Sequence, residues 1–300
     1  MRKIKELSNF SLVIIKDPGA DDFDFIENKY KINKSDLDEF YVPYHSSDYD
    51  IRKNYSYLIL TIPKIKKLQK EEVELFEIEN IYFYFSKTFF IIICDRNSNV
   101  DEIAESILES KESLILNTEK FSYQIIKKLF SNFYEVLKTI TQNVDYWEKN
   151  FRNLNLEKLN YQISFLRKNT IIFETVIKSW IDVFTEITEK NLPNFRKYPF
   201  LWTSLLDEIS YIYNKIDDYL RIIEGISRSI ETNLSIKINK NIILVTIIQT
   251  VFLPPTLIAS IYGMNIKLPI AEKSYAFFVL ITFMIIFTIL TWRILIKKSE

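Results

Sequence analysis

Two long stretches without a charged residue constrain this chain more than any other feature. None occurs from Asn241 to Ile266, and none from Ser274 to Trp292. Each meets the length of about 20 apolar residues that a helix needs to cross a bilayer. No comparable run precedes Lys240. The chain therefore reads as a large polar N-terminal region followed by a two-helix membrane hairpin, whose short connection forces the spans to be antiparallel.

The flanking charges set an orientation. Lys237 and Lys240 precede the first span, Arg293, Lys297 and Lys298 close the second, and the connection carries only Lys267, Glu272 and Lys273. Positive residues collect on the cytoplasmic side, so both termini are expected in the cytoplasm and the connection outside. The apolar run Phe10 to Ile15 is too short for a signal-peptide core, so the N-terminal domain is expected to stay in the cytoplasm.

Several function classes drop out. The 39 basic and 39 acidic residues cancel, which gives no support for a nucleic-acid partner. A single cysteine, Cys94, and a single histidine, His45, exclude an intrachain disulfide and a Cys/His zinc cluster within one subunit. Cys94 ends an apolar run and reads as a small buried hydrophobe. His45 reads as an ordinary loop residue. No nucleophile–base pair, phosphate-binding glycine loop or metal-binding helix motif is visible, so neither an enzyme nor a bound cofactor is expected.

The polar region divides in two. Residues 1–117 mix strand-like and helix-like pieces, giving an α/β domain. Phe10 to Lys16, Tyr55 to Ile62, Glu79 to Phe85 and Thr88 to Cys94 read as strands, the last two as a hairpin or neighbours. Asp21 to Asn28, Ser35 to Phe40 and Asn99 to Ser110 read as helices, with Ser35 as an N-cap. From 118 to 200 the pattern is that of paired long helices with a break near Phe151 to Asn155. A stalk helix covers 201–240, with Leu205, Ile209, Ile212, Ile216, Leu220, Ile223, Ile226, Ile230 and Leu234 spaced by threes and fours. It runs without an evident stop into the first span, and one helix from Leu201 to Ser260 would be roughly 90 Å long. The remaining segments are that span at 241–261, an external loop at 262–274, the second span at 275–296 and a basic tail at 297–300. The fold class is thus an N-terminal α/β domain, a long helical stalk and two C-terminal transmembrane helices.

The first span ends on Tyr262-Gly263-Met264-Asn265, in a chain with only 3 glycines. Glycine tolerates backbone angles forbidden to other residues and lets a backbone or ligand approach closely. The Asn265 amide both donates and accepts. Together they suggest a polar collar at the mouth of a membrane pore. Steps of three and four from Gly263 reach Ser260, Thr256, Leu253, Gln249, Val245, Ile242 and Asn239, all on one helix face. Asn239 and Asn265 lie about 39 Å apart by helix rise. Polar ends with apolar rings between them suit a channel that closes by dewetting. The alternative is that this face packs on another helix, with Gln249, Thr256 and Ser260 as hydrogen-bond partners.

The tetrapeptide after a first span, with a short loop and a second span near the C-terminus, resembles the CorA family of magnesium transporters. The similarity is densest from Asn239 to Asn265, including Pro254, Thr256 and Ile261 to Asn265, and the architecture agrees over the whole length. The resemblance implies a funnel-shaped homopentamer with the first spans lining one axial pore. It implies a selectivity filter of Tyr262, Gly263, Met264 and Asn265, a gate at Ile242, Val245 and Leu253, and an inner polar ring at Asn239. It also implies Mg²⁺ as both cargo and intracellular regulator, with Co²⁺ or Ni²⁺ as further cargo, in a bacterial or archaeal inner membrane. The regulatory carboxylates would come from Asp207, Asp217 and Asp218 on the stalk and from Asp21, Asp22 and Asp24 on the domain, or these are simply a solvated acidic surface. Two positions depart from the pattern. Gln249 stands where the family often has a small residue, and either hydrates the pore or bonds a neighbouring helix. Ser204 stands where an acid is expected, one turn before Asp207. The loop Ile266 to Ser274 is also less acidic than usual. Related ZntB-type zinc transporters and a non-conducting helical scaffold are the alternative readings; the intact Gly263-Met264-Asn265 triplet favours magnesium over zinc.

Overall fold

The computed structural model describes residues 2–42, 46–66, 75–109, 117–150, 156–190, 192, 194–264, 273 and 275–299. Contacts divide the chain into Met1–Ser227 and Arg228–Glu300.

The first unit is built on a six-stranded sheet of order β1-β2-β6-β5-β4-β3. Its strands are β1 (Arg2–Glu6), β2 (Ser11–Lys16), β3 (Asp48–Ile51), β4 (Ser56–Ile65), β5 (Phe76–Phe85) and β6 (Phe89–Cys94). Neighbours are antiparallel except β2 and β6, which are parallel from Ser11↔Phe89 to Lys16↔Cys94. In the centre, β2, β6 and the second half of β5 (Ile81 to Phe85) are nearly continuous in apolar and aromatic residues because both of their faces are covered. Helices α1 (Ala20–Tyr30) and α2 (Lys34–Asp38) cover one face, where Val13, Ile15, Phe23, Ile26, Leu37, Ile91 and Ile93 form a buried cluster. Helix α3 (Val100–Leu108) precedes α4 (Thr118–Asn150) and α5 (Leu156–Glu189). Phe121 of α4 meets Phe90 at 5.5 Å, and the Trp180 indole of α5 donates to the Thr61 carbonyl at 2.8 Å. Cys94 is fully buried, and burial pushes its thiol up to about 12.

The edge strands β1 and β3 have no counterpart among the sequence-based strands. Strand β1 (Arg-Lys-Ile-Lys-Glu) has one apolar residue among four charged ones and β3 (Asp-Tyr-Asp-Ile) alternates, and charges on an edge resist further pairing. The N-cap of α2 is Asn33 rather than Ser35. The Asn33 carbonyl accepts from Asp36 and Leu37, and its N–H donates to the Tyr55 hydroxyl at 3.0 Å. That long-range bond sets the helix start two residues before the sequence-based position. Asp36, nearly fully buried, then accepts a two-pronged pair from Arg52 at 2.9 Å and a bond from Tyr55 at 2.5 Å. The Arg52 guanidinium holds the Asp36 carboxyl below its usual range.

Helix α6 runs unbroken from Pro199 to Tyr262 and crosses the boundary between the units. Proline suits a first helical turn, because its missing N–H is one that would have no partner there. The Glu119 carboxylate accepts from Lys197 N, Tyr198 N and the Trp202 indole, supplying the acceptor that this helix start requires. Leu205, Ile209, Ile212, Ile216, Ile223, Ile226 and Ile230 are buried, as their spacing requires; Leu220 and Leu234 are half-buried. Lys127 and Tyr134 reach Glu208, Thr141 bonds Tyr219, and Arg167 pairs with Glu224, fastening α6 to α4 and α5.

The second unit holds the rest of α6 and helix α7 (Ala276–Ser299). Two helices are long and apolar enough to cross a membrane, the one containing the end of α6 and Phe277–Ile294.

Candidate functional site

The end of α6 has two unlike sides. Val251 is buried at 4% exposure, and Ile247, Pro254, Pro255, Ile258 and Tyr262 are half-buried. On α7, Leu280, Met284, Thr288 and Thr291 are half-buried at helical spacing. Phe252 and Pro255 share a cleft with Met284, Ile285 and Thr288, so this is where α7 lies against α6. Asn239, Ile242, Val245, Gln249, Leu253, Thr256 and Ser260 are all exposed. At about 100° per residue their stripe lies on the side of α6 opposite Val251. The face picked out by spacing is therefore the one that α7 leaves uncovered.

Helix α6 contains two consecutive prolines, Pro254 and Pro255. Neither has an N–H, so the carbonyls of Thr250 and Val251 lose their donors four residues on. The hydroxyls of Thr246, Thr250 and Thr256 turn back to the carbonyls of Ile242, Thr246 and Phe252 at 2.7–2.8 Å. Such local bonds keep polar groups satisfied in an apolar surrounding. Pro255 was not singled out by sequence reasoning, although a Pro-Pro pair inside an uncharged run is a readable signal.

Gly263 follows the last helical residue. Its N–H donates to the Ala259 carbonyl at 2.9 Å, and Met264 N–H to Ile261 at 3.2 Å, tightening the final turn. No described glycine has a positive φ, so backbone freedom is not what requires glycine here. A Cβ at 263 would lie 3.2 Å from the Ala259 carbonyl oxygen, a tight contact that the last turn would have to relieve by a few tenths of an ångström. Asn265 and the rest of the loop to 272 lie outside the described residues, as does His45.

The acidic candidates are scattered within one chain. Asp22 pairs with Arg2 at 2.9 Å and accepts from the Gly19 N–H that starts α1. Asp217 pairs with Arg221 at 2.7 Å. Asp21, Asp24, Asp207 and Asp218 are exposed. A further grouping was missed by the sequence reading: burial raises the Asp95 carboxyl, with Asp17 and Glu77 adding to the effect, and burial also raises Glu79. Among the described residues no three His, Cys, Asp or Glu side chains are placed to hold a metal.

The family model described as CorA-like Mg²⁺ transporter protein matches residues 9–298. The chain belongs to that family. The cobalt/magnesium transport protein CorA of Thermotoga maritima is 21% identical over 227 residues, 72% of this chain and 61% of the relative. The aligned part thus spans about three-fifths of that relative's length. The complete structure of the CorA magnesium transporter from Methanocaldococcus jannaschii superposes with a TM-score of 0.73 at 18% identity, covering 97% of this chain and 92% of that one. The ZntB cytoplasmic domain of Vibrio parahaemolyticus superposes with a TM-score of 0.61 at 15% identity, covering 77% and 90%. The CorA-like fold therefore extends over both units.

Proposed function

We propose that this CorA-like chain is a channel that passes Mg²⁺, and with it Co²⁺ or Ni²⁺, into the cytoplasm down the electrochemical gradient. The observation that carries this reading is the uncovered α6 stripe leading to Gly263 and Met264, with Asn265 next in the sequence, in a member of a Mg²⁺ transporter family. Five copies would set the stripe around one axis in the inner membrane, with both termini in the cytoplasm. Asn239 forms the inner ring and Ile242, Val245 and Leu253 the gate.

The chemistry favours such an arrangement. Mg²⁺ gives up its waters reluctantly and is held most easily through them. Rings of neutral carbonyls and amides accept hydrogen bonds from those waters without trapping the ion, whereas a carboxylate ring would release it slowly. An inside-negative potential drives a divalent ion inward by about 4.6 kcal/mol per 100 mV. Intracellular Mg²⁺ closes the pore through acids that separate copies bring together. Asp207 and Asp218 on the stalk and Asp21 and Asp24 on the domain suit this better than Asp22 and Asp217, because none of the four has an ion-pair partner among the described residues, whereas Asp22 and Asp217 do.

Zinc is the second reading, supported by the similarity to the ZntB cytoplasmic domain. A membrane-anchored scaffold is the third. Reconstituted protein with an imposed potential and ion-sensitive dyes separates them. Potential-driven Mg²⁺ entry is the expected result. Entry of Zn²⁺ alone would move the assignment to zinc, and no entry of either ion from a verified oligomer would leave the scaffold.

A further inference from the structure

Gln249 is the only amide or charged side chain between Asn241 and Tyr262. It occupies the middle of the uncovered stripe, with Val245 one turn before it and Leu253 one turn after. Two residues separate it from buried Val251, which puts the two about 160° apart around the helix. Gln249 therefore points away from its own α7. Its carboxamide has no hydrogen-bond partner among the described residues and is exposed. The neighbouring threonine hydroxyls differ in this respect, since each is spent on its own helix. An unpartnered amide at membrane depth is costly, so something outside this chain must meet it.

We infer that Gln249 is an ion site. Its carboxamide oxygens accept hydrogen bonds from the waters of a hydrated divalent cation midway along the pathway. This rests on the reading of the stripe as a pore lining. The physical argument is the contrast with the flanking residues. Val245 and Leu253 each lie about 6 Å along the axis from Gln249 and offer a hydrated ion nothing. A ring of amides between those apolar rings divides one long dry barrier into two short ones. Being neutral, it binds weakly enough to release, as conduction requires. The competing partner is specific: Pro254 and Pro255 leave the carbonyls of Thr250 and Val251 without helix donors, and a Gln249 amide from another copy could donate to one of them.

Two measurements on the full-length protein in lipid decide between these. The first is flux of Mg²⁺ into proteoliposomes for native protein and Gln249→Leu, with assembly checked by size. The inference predicts a fall of about tenfold, the rate equivalent of one lost neutral hydrogen bond. The second needs no variant: anomalous scattering from Mn²⁺ soaked into native crystals, expected on the axis at the height of Gln249. Unchanged flux in Gln249→Leu, or Gln249 amides bonded to a neighbouring copy with no Mn²⁺ at that height, overturns the inference and leaves the channel standing. No flux from the assembled native protein overturns the channel reading, and this inference falls with it.

Discussion

The Glu119 carboxylate, in the first turn of α4, accepts the Trp202 indole N–H of α6 at 3.2 Å across 83 residues of sequence. The same carboxylate takes the backbone N–H groups of Lys197 and Tyr198 at 3.2 and 2.9 Å. One buried acid thus fixes where the helix that continues into the apolar unit begins.

Glu119→Ala leaves three donors without their acceptor at a buried helix start. The expected loss is about 3 kcal/mol, with a smaller loss for Glu119→Gln, which keeps one carbonyl oxygen. Urea unfolding of the full chain in detergent, followed by tryptophan fluorescence, measures it. Equal stability of Glu119→Ala and native protein would contradict this role.

Trp180 joins α5 to the sheet. It is fully buried, lies 4.8 Å from the Phe133 ring and donates to the Thr61 carbonyl at 2.8 Å. Trp180→Ala is expected to cost about 3–5 kcal/mol by cavity formation and a lost donor. A drop below about 1 kcal/mol in the same unfolding assay would show that the site repacks.

Asp36 gives the first unit an acid-sensitive lock. The bond from Arg52 lowers the folded pKa of Asp36 below the unfolded value of about 3.9. Its contribution is therefore present above that unfolded value and is lost as pH falls through the lower folded one. Asp36→Asn should be less stable than native protein at pH 7, and the gap should narrow below pH ~4. Parallel stability curves for the two proteins down to acid unfolding would contradict the assignment.

Gly263→Ala places a methyl 3.2 Å from the Ala259 carbonyl oxygen, so the last turn of α6 must give by a few tenths of an ångström. If that turn aims the selectivity ring, Mg²⁺ flux in proteoliposomes falls by at least about tenfold while the oligomer persists. A scaffold tolerates the same change without effect on any flux.

Much of this was legible in the sequence, and the failures have physical causes. The strands β2 and β6 and the second half of β5, Ile81 to Phe85, declare themselves because burial on both faces demands apolar runs. The buried stripe of α6 is visible because one helical face packs at fixed spacing. The edge strands β1 and β3 were not legible, because an edge is built to look polar. Asn33 displaces Ser35 as the cap of α2 through Tyr55, 22 residues away, which no local pattern announces. At the candidate site, the uncovered stripe follows from spacing alone. Of the two reasons for a glycine at 263, backbone freedom is not used, since its φ is not positive. The close approach of the Ala259 carbonyl depends on how the final turn tightens and is not readable from the sequence.

The central claim is conduction through a ring that includes Asn265. Native protein and Asn265→Ala, both verified as intact oligomers, should be compared for Mg²⁺ entry into dye-loaded proteoliposomes under an inside-negative potential. The account predicts rapid entry for the native protein and its loss in the variant. Equal entry in both, or none in either, would contradict it.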